Sequence, residues 1–171
     1  YKLTSIESSF GFNSLAIVEN RPKTLSLKDF LTNFLTFRRE VVIKRTKFDL
    51  NKAQERAHIL LGISVAVENL DKVIKVIKKS KTPEVAKKTL LDLKWKTLRS
   101  LKLMKLIEKK INKNFFKFTE SQVLAILELK LQKLTALGIS EIEQEVKKLS
   151  EQIYDFREIL SSKKKLMNLI I

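Results

Sequence analysis

Apolar residues recur at helical spacing along most of the chain after residue 26. Phe34, Val41 and Phe48 lie seven residues apart, and from Leu50 onward apolar positions are spaced by three and four. Because such positions share one face of an α-helix, the pattern predicts one helix, or two nearly continuous helices, over about 27–79. A helix of that length would extend roughly 80 Å, so we expect part of it to project from the rest of the protein.

A second stripe with the spacing of a coiled-coil heptad covers residues 140–160. A stripe of this kind needs one partner helix, and the region around 41–60 matches it in length. We therefore predict two helices that run antiparallel and pack along a common seam. The predicted seam residues are Val41, Phe48, Ala53, Ala57 and Leu60 on the outgoing helix, and Ile142, Val146, Leu149, Ile153, Phe156 and Leu160 on the returning helix.

The first 26 residues have a different pattern. A short apolar run, Leu15–Val18, precedes the turn signal Asn20-Arg21-Pro22, and a second short run covers residues 23–25. Two short runs separated by turn residues predict a β-hairpin. A hairpin alone is marginally stable in water, so we expect it to complete a larger sheet.

Several helix boundaries are marked by capping residues. Ser26 is followed three positions later by Asp29, and Thr82 is followed by proline, which favours the first position of a helix. Thr119 and Ser140 each begin a capping-box pattern, with a glutamine or glutamate three residues later. We expect the helix that begins at Thr119 to run to residue 137 and to end at Gly138, which would supply a left-handed cap and a turn into the returning helix.

These elements predict a mainly α fold, in which a long antiparallel coiled-coil arm carries a small helical globule at its tip and a short β-hairpin lies at the N-terminus. The expected organisation is a hairpin region at 1–26, an outgoing coiled-coil helix at 27–60, a helical globule at 61–137, a returning coiled-coil helix at 138–160 and the start of a C-terminal helix at 161–171.

Composition narrows the possible chemistry. The chain has no cysteine, and its only histidine is His58, so thiolate sites, disulfides and multi-histidine metal sites are excluded. His58 alone is more typical of a packed, hydrogen-bonded side chain than of a ligand. The most apolar run, residues 59–67, is too short to span a membrane. We expect no membrane contact and a cytoplasmic location, and because the sequence begins on Tyr1 we expect a piece of a longer protein.

The net charge of +16 suggests a polyanionic partner. Residues 72–117 carry 16 of the 35 basic residues and only three acidic ones. Either this segment contacts nucleic acid or it is a solvated basic face, and the second interpretation is favoured because the excess is mostly lysine. The same two alternatives apply to Arg38, Arg39 and Arg45. The carboxylates Glu141, Glu143 and Glu145 resemble a metal site only in composition, since acidic residues are typical of a helix's first turn.

Two long stretches resemble a known family. "FRREVVIKRTKFDLNKAQERAHILLG", residues 37–62, resembles the start of the coiled-coil arm in the A subunit of DNA gyrase, and "SQVLAILELKLQKLTALGISEIEQE", residues 121–145, resembles the run before its returning arm. "SFGFNSLAIVENRPKTLSLKDFL" is similar to the end of the gyrase tower region, which favours gyrase over the corresponding subunit of topoisomerase IV. Residues 96–117 depart from the family, because a lysine-rich segment replaces an acidic one, although Trp95 matches a family tryptophan.

The resemblance implies a segment of an ATP-dependent type IIA topoisomerase, which passes one DNA duplex through a double-strand break in another. It implies an exit-gate arm with no catalytic residue of its own, because the family's nucleophilic tyrosine lies upstream and neither Tyr1 nor Tyr154 matches it. The segment would hold no metal or cofactor, whereas Mg²⁺ and ATP would serve the holoenzyme. The implied partners are a second copy in a homodimer, the gyrase B subunit in an A2B2 complex, and double-stranded DNA.

The wide apolar stripe of the 119–137 helix is either ordinary core or, as the resemblance implies, partly a contact between two copies. The expected dimer-interface residues are Leu124, Leu127, Glu128, Leu131, Gln132 and Thr135. A rival hypothesis is a non-enzymatic coiled-coil arm that binds RNA or protein. It would explain the charge but not the two long motif matches.

Overall fold

The N-terminal hairpin pairs β1 (Leu15–Val18) with β2 (Arg21–Thr24) in an antiparallel ladder. Its turn is Glu19-Asn20, and both residues have positive φ, 54° and 61°. Two such residues match the strand twist in a two-residue hairpin loop. The predicted hairpin is confirmed, but the turn begins earlier than expected and Pro22 lies in β2. Pro22 faces Ile17, one pair beyond the turn, where an antiparallel ladder makes no hydrogen bonds.

The computed structural model describes residues 4, 6, 8–97, 100–107, 115–129 and 136–170, with the side chains of 136–139 excepted. These form two compact units, residues 1–45 with 163–171 and residues 46–162. The helices and strands after the hairpin are α1 (Leu27–Glu68), α2 (Leu70–Lys79), α3 (Pro83–Asp92), β3 (Trp95–Lys96), α4 (Ser100–Ile107), β4 (Phe115–Phe116), α5 (Glu120–Leu127), α6 (Ala136–Ser161) and α7 (Lys163–Asn168). The mainly α fold with a long helix and a short N-terminal hairpin is confirmed.

Three of the predicted helix starts are confirmed. The Asp29 N–H donates to Ser26 Oγ (3.2 Å) at the start of α1, and the Val85 N–H donates to Thr82 Oγ1 (3.4 Å) at the start of α3. Thr119 caps α5, where its N–H donates to Gln122 Oε1 (3.0 Å). The sequence predicts these starts because capping uses only residues within one helical turn.

The long helix predicted over 27–79 divides at Asn69. The Asn69 carboxamide donates to the Val65 carbonyl oxygen (2.9 Å) and to the Lys96 carbonyl oxygen (2.8 Å), so it joins the end of α1 to β3. A side chain that bonds the backbone in this way competes with helix continuation. The alternative of two nearly continuous helices is therefore the correct one.

The predicted turn at Gly138 is wrong. Gly138 and Ser140 both lie inside α6, which begins at Ala136. A glycine in a helix interior costs only about 1 kcal/mol relative to alanine, and burial of the α6 stripe outweighs that cost. The helix predicted over 119–137 is also too long, since α5 ends at Leu127.

The core of the 46–162 unit surrounds Trp95. Its indole N–H donates to the Leu90 carbonyl oxygen (3.2 Å), and its ring lies 5.2 Å from the ring of Phe118. β3 pairs with β4, which places Trp95 opposite Phe116. Helix α3 lies beside both α2 and α5, and α4 lies beside α6. Trp95 therefore links β3 to α3 through this hydrogen bond to Leu90 and contacts Phe118, which precedes α5.

Candidate arm and gate surface

Helices α1 and α6 run antiparallel within the 46–162 unit. Arg56 Nε lies 2.8 Å from Glu145 Oε1, which joins the later part of α1 to the earlier part of α6. Asp49, which precedes Arg56 on α1, lines the same groove as Phe156, which follows Glu145 on α6. Since numbers rise along one helix as they fall along the other, the two helices are antiparallel over this stretch.

Six of the eleven predicted seam residues are buried on α1 and α6. Those that are at least nine-tenths buried are Ala53, Ala57, Leu60, Ile142, Val146 and Ile153. Leu149, Phe156 and Leu160 are half-buried. The buried residues of α1 are smaller on average than those of α6 here, which lets the two helix backbones approach while the larger α6 side chains fill the space between them.

Two predicted seam residues lie elsewhere. Phe48 is 66% exposed and Val41 is 37% exposed, so neither lies in the buried stripe of the described structure. The buried position nearby is Thr46, at 7%. Phe48 and Ala53 are five residues apart, about 140° around a helix, so a single stripe cannot hold both. Thr46 and Ala53 are seven apart and share a face.

Helix α5 presents an apolar outer surface. Leu124 is 46% exposed, Leu127 is half-buried, and Glu128 is exposed at the helix C-terminus. The adjoining face of α5 is buried through Val123 and Ile126. The remaining predicted interface residues, Leu131, Gln132 and Thr135, lie outside the described residues. The apolar residues of α5 thus spread over nearly half of the helix circumference, and the edge that carries Leu124 stays exposed.

The start of α5 is attached to α1 by a polar cluster. His58 Nε2 lies 2.8 Å from Thr119 Oγ1, and Gln122 Nε2 donates to the His58 carbonyl oxygen (2.8 Å). His58 is therefore a packed, hydrogen-bonded side chain, as the sequence indicated. The sequence identifies Gln122 only as a capping residue, because a local pattern contains no sign of a partner that lies 64 residues earlier in the sequence.

The first residue of α5 is also paired. The Glu120 carboxylate accepts a hydrogen bond from Lys87 on α3. This hydrogen bond, together with the positive charge of Lys87, holds the pKa of Glu120 below its ordinary value. Glu120 lies on the surface, so the pair is screened by solvent and we assign it a small effect.

Among the described residues, no group of three or more histidine, aspartate or glutamate side chains could hold a metal ion. Glu145, from the predicted acidic cluster, pairs with Arg56 instead. Tyr154 is 62% exposed on α6. No helix in the described part of the chain is long and apolar enough to cross a membrane.

Comparison with known proteins decides the family. A family model for the A subunit of DNA gyrase and topoisomerase IV matches residues 1–171. The chain belongs to this family. It is 40% identical over 173 residues to the DNA gyrase A subunit of Rickettsia typhi, and 39% identical over 170 residues to the same subunit of Lawsonia intracellularis and of Buchnera aphidicola. Each alignment covers 99% of this chain and 18–20% of the relative.

This member of the gyrase and topoisomerase IV family therefore spans about a fifth of the length of the curated relatives it matches. The family model also covers residues 72–117, the strongly basic segment. In that segment α2 exposes Lys72, Lys75 and Lys79 and buries Val73 on its other side. The lysines thus lie on an exposed face of an amphipathic helix.

Proposed function

We propose that this chain is the exit-gate arm and dimer contact of the A subunit of DNA gyrase, a type II topoisomerase that passes one duplex through a double-strand break in another. The proposal rests on the family match over residues 1–171 together with the antiparallel pairing of α1 and α6. An arm of two paired helices can hold the contact between two subunits away from the site of DNA cleavage, and it needs no catalytic residue for that role. Such a gate must hold two subunits together and still separate when the transported duplex leaves.

The assembled enzyme is proposed to be an A2B2 complex of A and B subunits, which acts on double-stranded DNA in the cytoplasm. Mg²⁺ and ATP would be bound outside this segment. The family includes topoisomerase IV, but the relatives named above are all gyrase subunits, which favours gyrase. The full-length A subunit, assembled with the B subunit and supplied with ATP, should introduce negative supercoils into relaxed plasmid. Decatenation without supercoiling would indicate topoisomerase IV.

The proposed contact between copies is the outer face of α5. Leu124 is 46% exposed, and Leu127 and Glu128 lie beside it at helical spacing. Leu131, Gln132 and Thr135 are proposed to extend this contact. An apolar centre with polar edges is typical of protein interfaces, and exposed apolar patches often mark them. In a two-fold dimer the same face of each copy would meet the other.

Light scattering on the 171-residue segment tests the contact. The wild type should be a dimer at tens of micromolar, and Leu124→Lys with Leu127→Lys should give a folded monomer, because it places charges in an apolar contact. Val85→Lys is a matched control, since Val85 on α3 is 49% exposed and lies outside the proposed surface. A monomeric wild type, or a double variant that remains a folded dimer, would contradict the proposed contact.

A further inference from the structure

The side chain of Gln122 is completely buried although it is polar, with 0% of its surface exposed. Its Oε1 accepts the Thr119 N–H (3.0 Å), and its Nε2 donates to the His58 carbonyl oxygen (2.8 Å). A backbone N–H can only donate and a carbonyl oxygen can only accept, so the two ends of the carboxamide are assigned unambiguously. Gln122 therefore bonds the start of its own helix and the interior of α1 simultaneously.

The side chain of His58 extends the same attachment. Its Nε2 lies 2.8 Å from Thr119 Oγ1, and its Nδ1 faces the Gln122 amide nitrogen at 3.5 Å. Since that amide nitrogen is a donor, the tautomer with hydrogen on Nε2 would satisfy both contacts, because Thr119 Oγ1 can accept from it. One residue of α1 thus contacts both the cap and the third residue of α5.

Gly62 provides the space in which Gln122 lies. A Cβ on residue 62 would lie 2.6 Å from the Cγ of Gln122 and 2.8 Å from its Cβ and Cδ. Gly62 has no positive φ, so its backbone conformation does not require glycine. Glycine inside a helix costs about 0.5–1 kcal/mol relative to alanine. The close approach of Gln122 is thus a physical reason for glycine at this position.

We infer that Gln122 is a positioning residue that fixes α5 to α1, so that α5 moves together with α1 when α1 is displaced. The inference rests on the proposed function, in which α5 bears the contact between copies. Leu124, the exposed centre of that contact, lies only two residues from Gln122. An apolar side chain in place of Gln122 would fill the same space but would allow α5 to slide, because apolar packing lacks the direction of a hydrogen bond.

The test uses the full-length gyrase A subunit and its variant Gln122→Met, which keeps the length of the side chain and removes both hydrogen bonds. Hydrogen–deuterium exchange should become roughly two- to tenfold faster in peptides covering 115–127, because each lost bond stabilises by a modest amount. Peptides covering 145–160 of α6 should exchange at the wild-type rate. Unchanged exchange over 115–127 would overturn the inference.

A second variant, Gly62→Ala, separates helix propensity from the contact with Gln122, because the two predict opposite changes in exchange rate. Helix propensity alone predicts that Gly62→Ala stabilises α1, whereas the contact with Gln122 predicts that it displaces α5 and accelerates exchange over 115–127. Gly11→Ala, outside the helices and strands, is a control for replacing a glycine that has no close neighbour, since nothing lies within 4 Å of a Cβ placed there. Slower or unchanged exchange in Gly62→Ala would contradict the inference.

The functional readout separates positioning from simple destabilisation. Assembled with the B subunit, Gln122→Met should cleave DNA at the wild-type level and pass strands several-fold more slowly, measured well below its melting temperature. Equal loss of cleavage and strand passage would show general destabilisation and overturn the inference. The light-scattering test changes Leu124 and Leu127 and leaves Gln122 in place, so failure of the proposed α5 contact would be recognised separately.

Discussion

The two halves of α1 have the same helical backbone but very different surroundings. Before residue 46 the large side chains are exposed, with Phe30 at 47%, Phe34 at 52% and Phe37 at 63%. After residue 46 the helix contains small buried residues such as Ala53 and Ala57, at 7% and 0%. The phenylalanines of the first half line a cleft that β1 also lines, whereas the second half packs against α6.

This difference shows what apolar spacing can and cannot indicate. Spacing identifies a face that is able to be buried, and it does so equally for both halves. Whether the face is buried depends on a partner, and the size of the side chains indicates how closely that partner approaches. Alanines at 53 and 57 allow a close helix pair, whereas a phenylalanine at either position would push α6 away.

The largest expected effect comes from breaking the buried half. Ile153 is 2% exposed on α6, and Ile153→Asp would bury a carboxylate without a partner. We expect a loss of several kcal/mol in the free energy of unfolding, measured by urea denaturation of the segment. Glu151→Lys, at an exposed position of the same helix, should change it by no more than about 0.5 kcal/mol. Equal shifts in the two variants would mean that the buried stripe is assigned wrongly.

A smaller effect is expected from overpacking. Ala57 is fully buried, so Ala57→Leu should cost about 1–3 kcal/mol through displaced neighbours. Phe37→Leu in the exposed half should cost less than about 1 kcal/mol in the segment. The comparison between the halves would fail if the melting temperature fell as far for Phe37→Leu as for Ala57→Leu.

The ion pair at the edge of the buried half should contribute less again. Arg56 and Glu145 keep 46% and 40% of their side-chain surface exposed, so their attraction is weakened by solvent. A double-mutant cycle with Arg56→Ala and Glu145→Ala should give a coupling energy of about 0.2–1 kcal/mol that declines in 1 M salt. A coupling well above this range would indicate that the pair organises the two helices.

The smallest effect is the pH dependence of the Glu120–Lys87 pair. Because the pKa of Glu120 is lower in the folded state, the pair stabilises the protein above the ordinary glutamate pKa of 4.5. That contribution is lost as pH falls through the lowered pKa. Thermal melts from pH 6 to pH 3 should show a slightly smaller acid-induced loss for Glu120→Gln than for the wild type. An equal or larger loss in the variant would contradict this assignment.

Local patterns allow the sequence to predict caps and the hairpin. Ser26, Thr82 and Thr119 cap helices as predicted, because the groups involved lie within four residues of one another. The resemblance in residues 37–62 and 121–145 indicates the family, which the comparison with known proteins confirms.

Long-range features cannot be predicted in the same way. The place of Phe48 depends on which face α6 covers, and the need for glycine at position 62 depends on Gln122, 60 residues later. The sequence predicts a turn at Gly138 because glycine often ends helices, yet the helix continues through it. In each case a distant partner, absent from any local window, decides the outcome.

The antiparallel pairing of α1 with α6 also has a consequence for synthesis of the chain on the ribosome. Arg56 and its partner Glu145 are 89 residues apart. At about 5–20 residues per second, the ribosome needs roughly 4–18 s to add that length. During that interval the apolar face of the nascent α1 is not covered by α6, so a chaperone could bind it for these seconds.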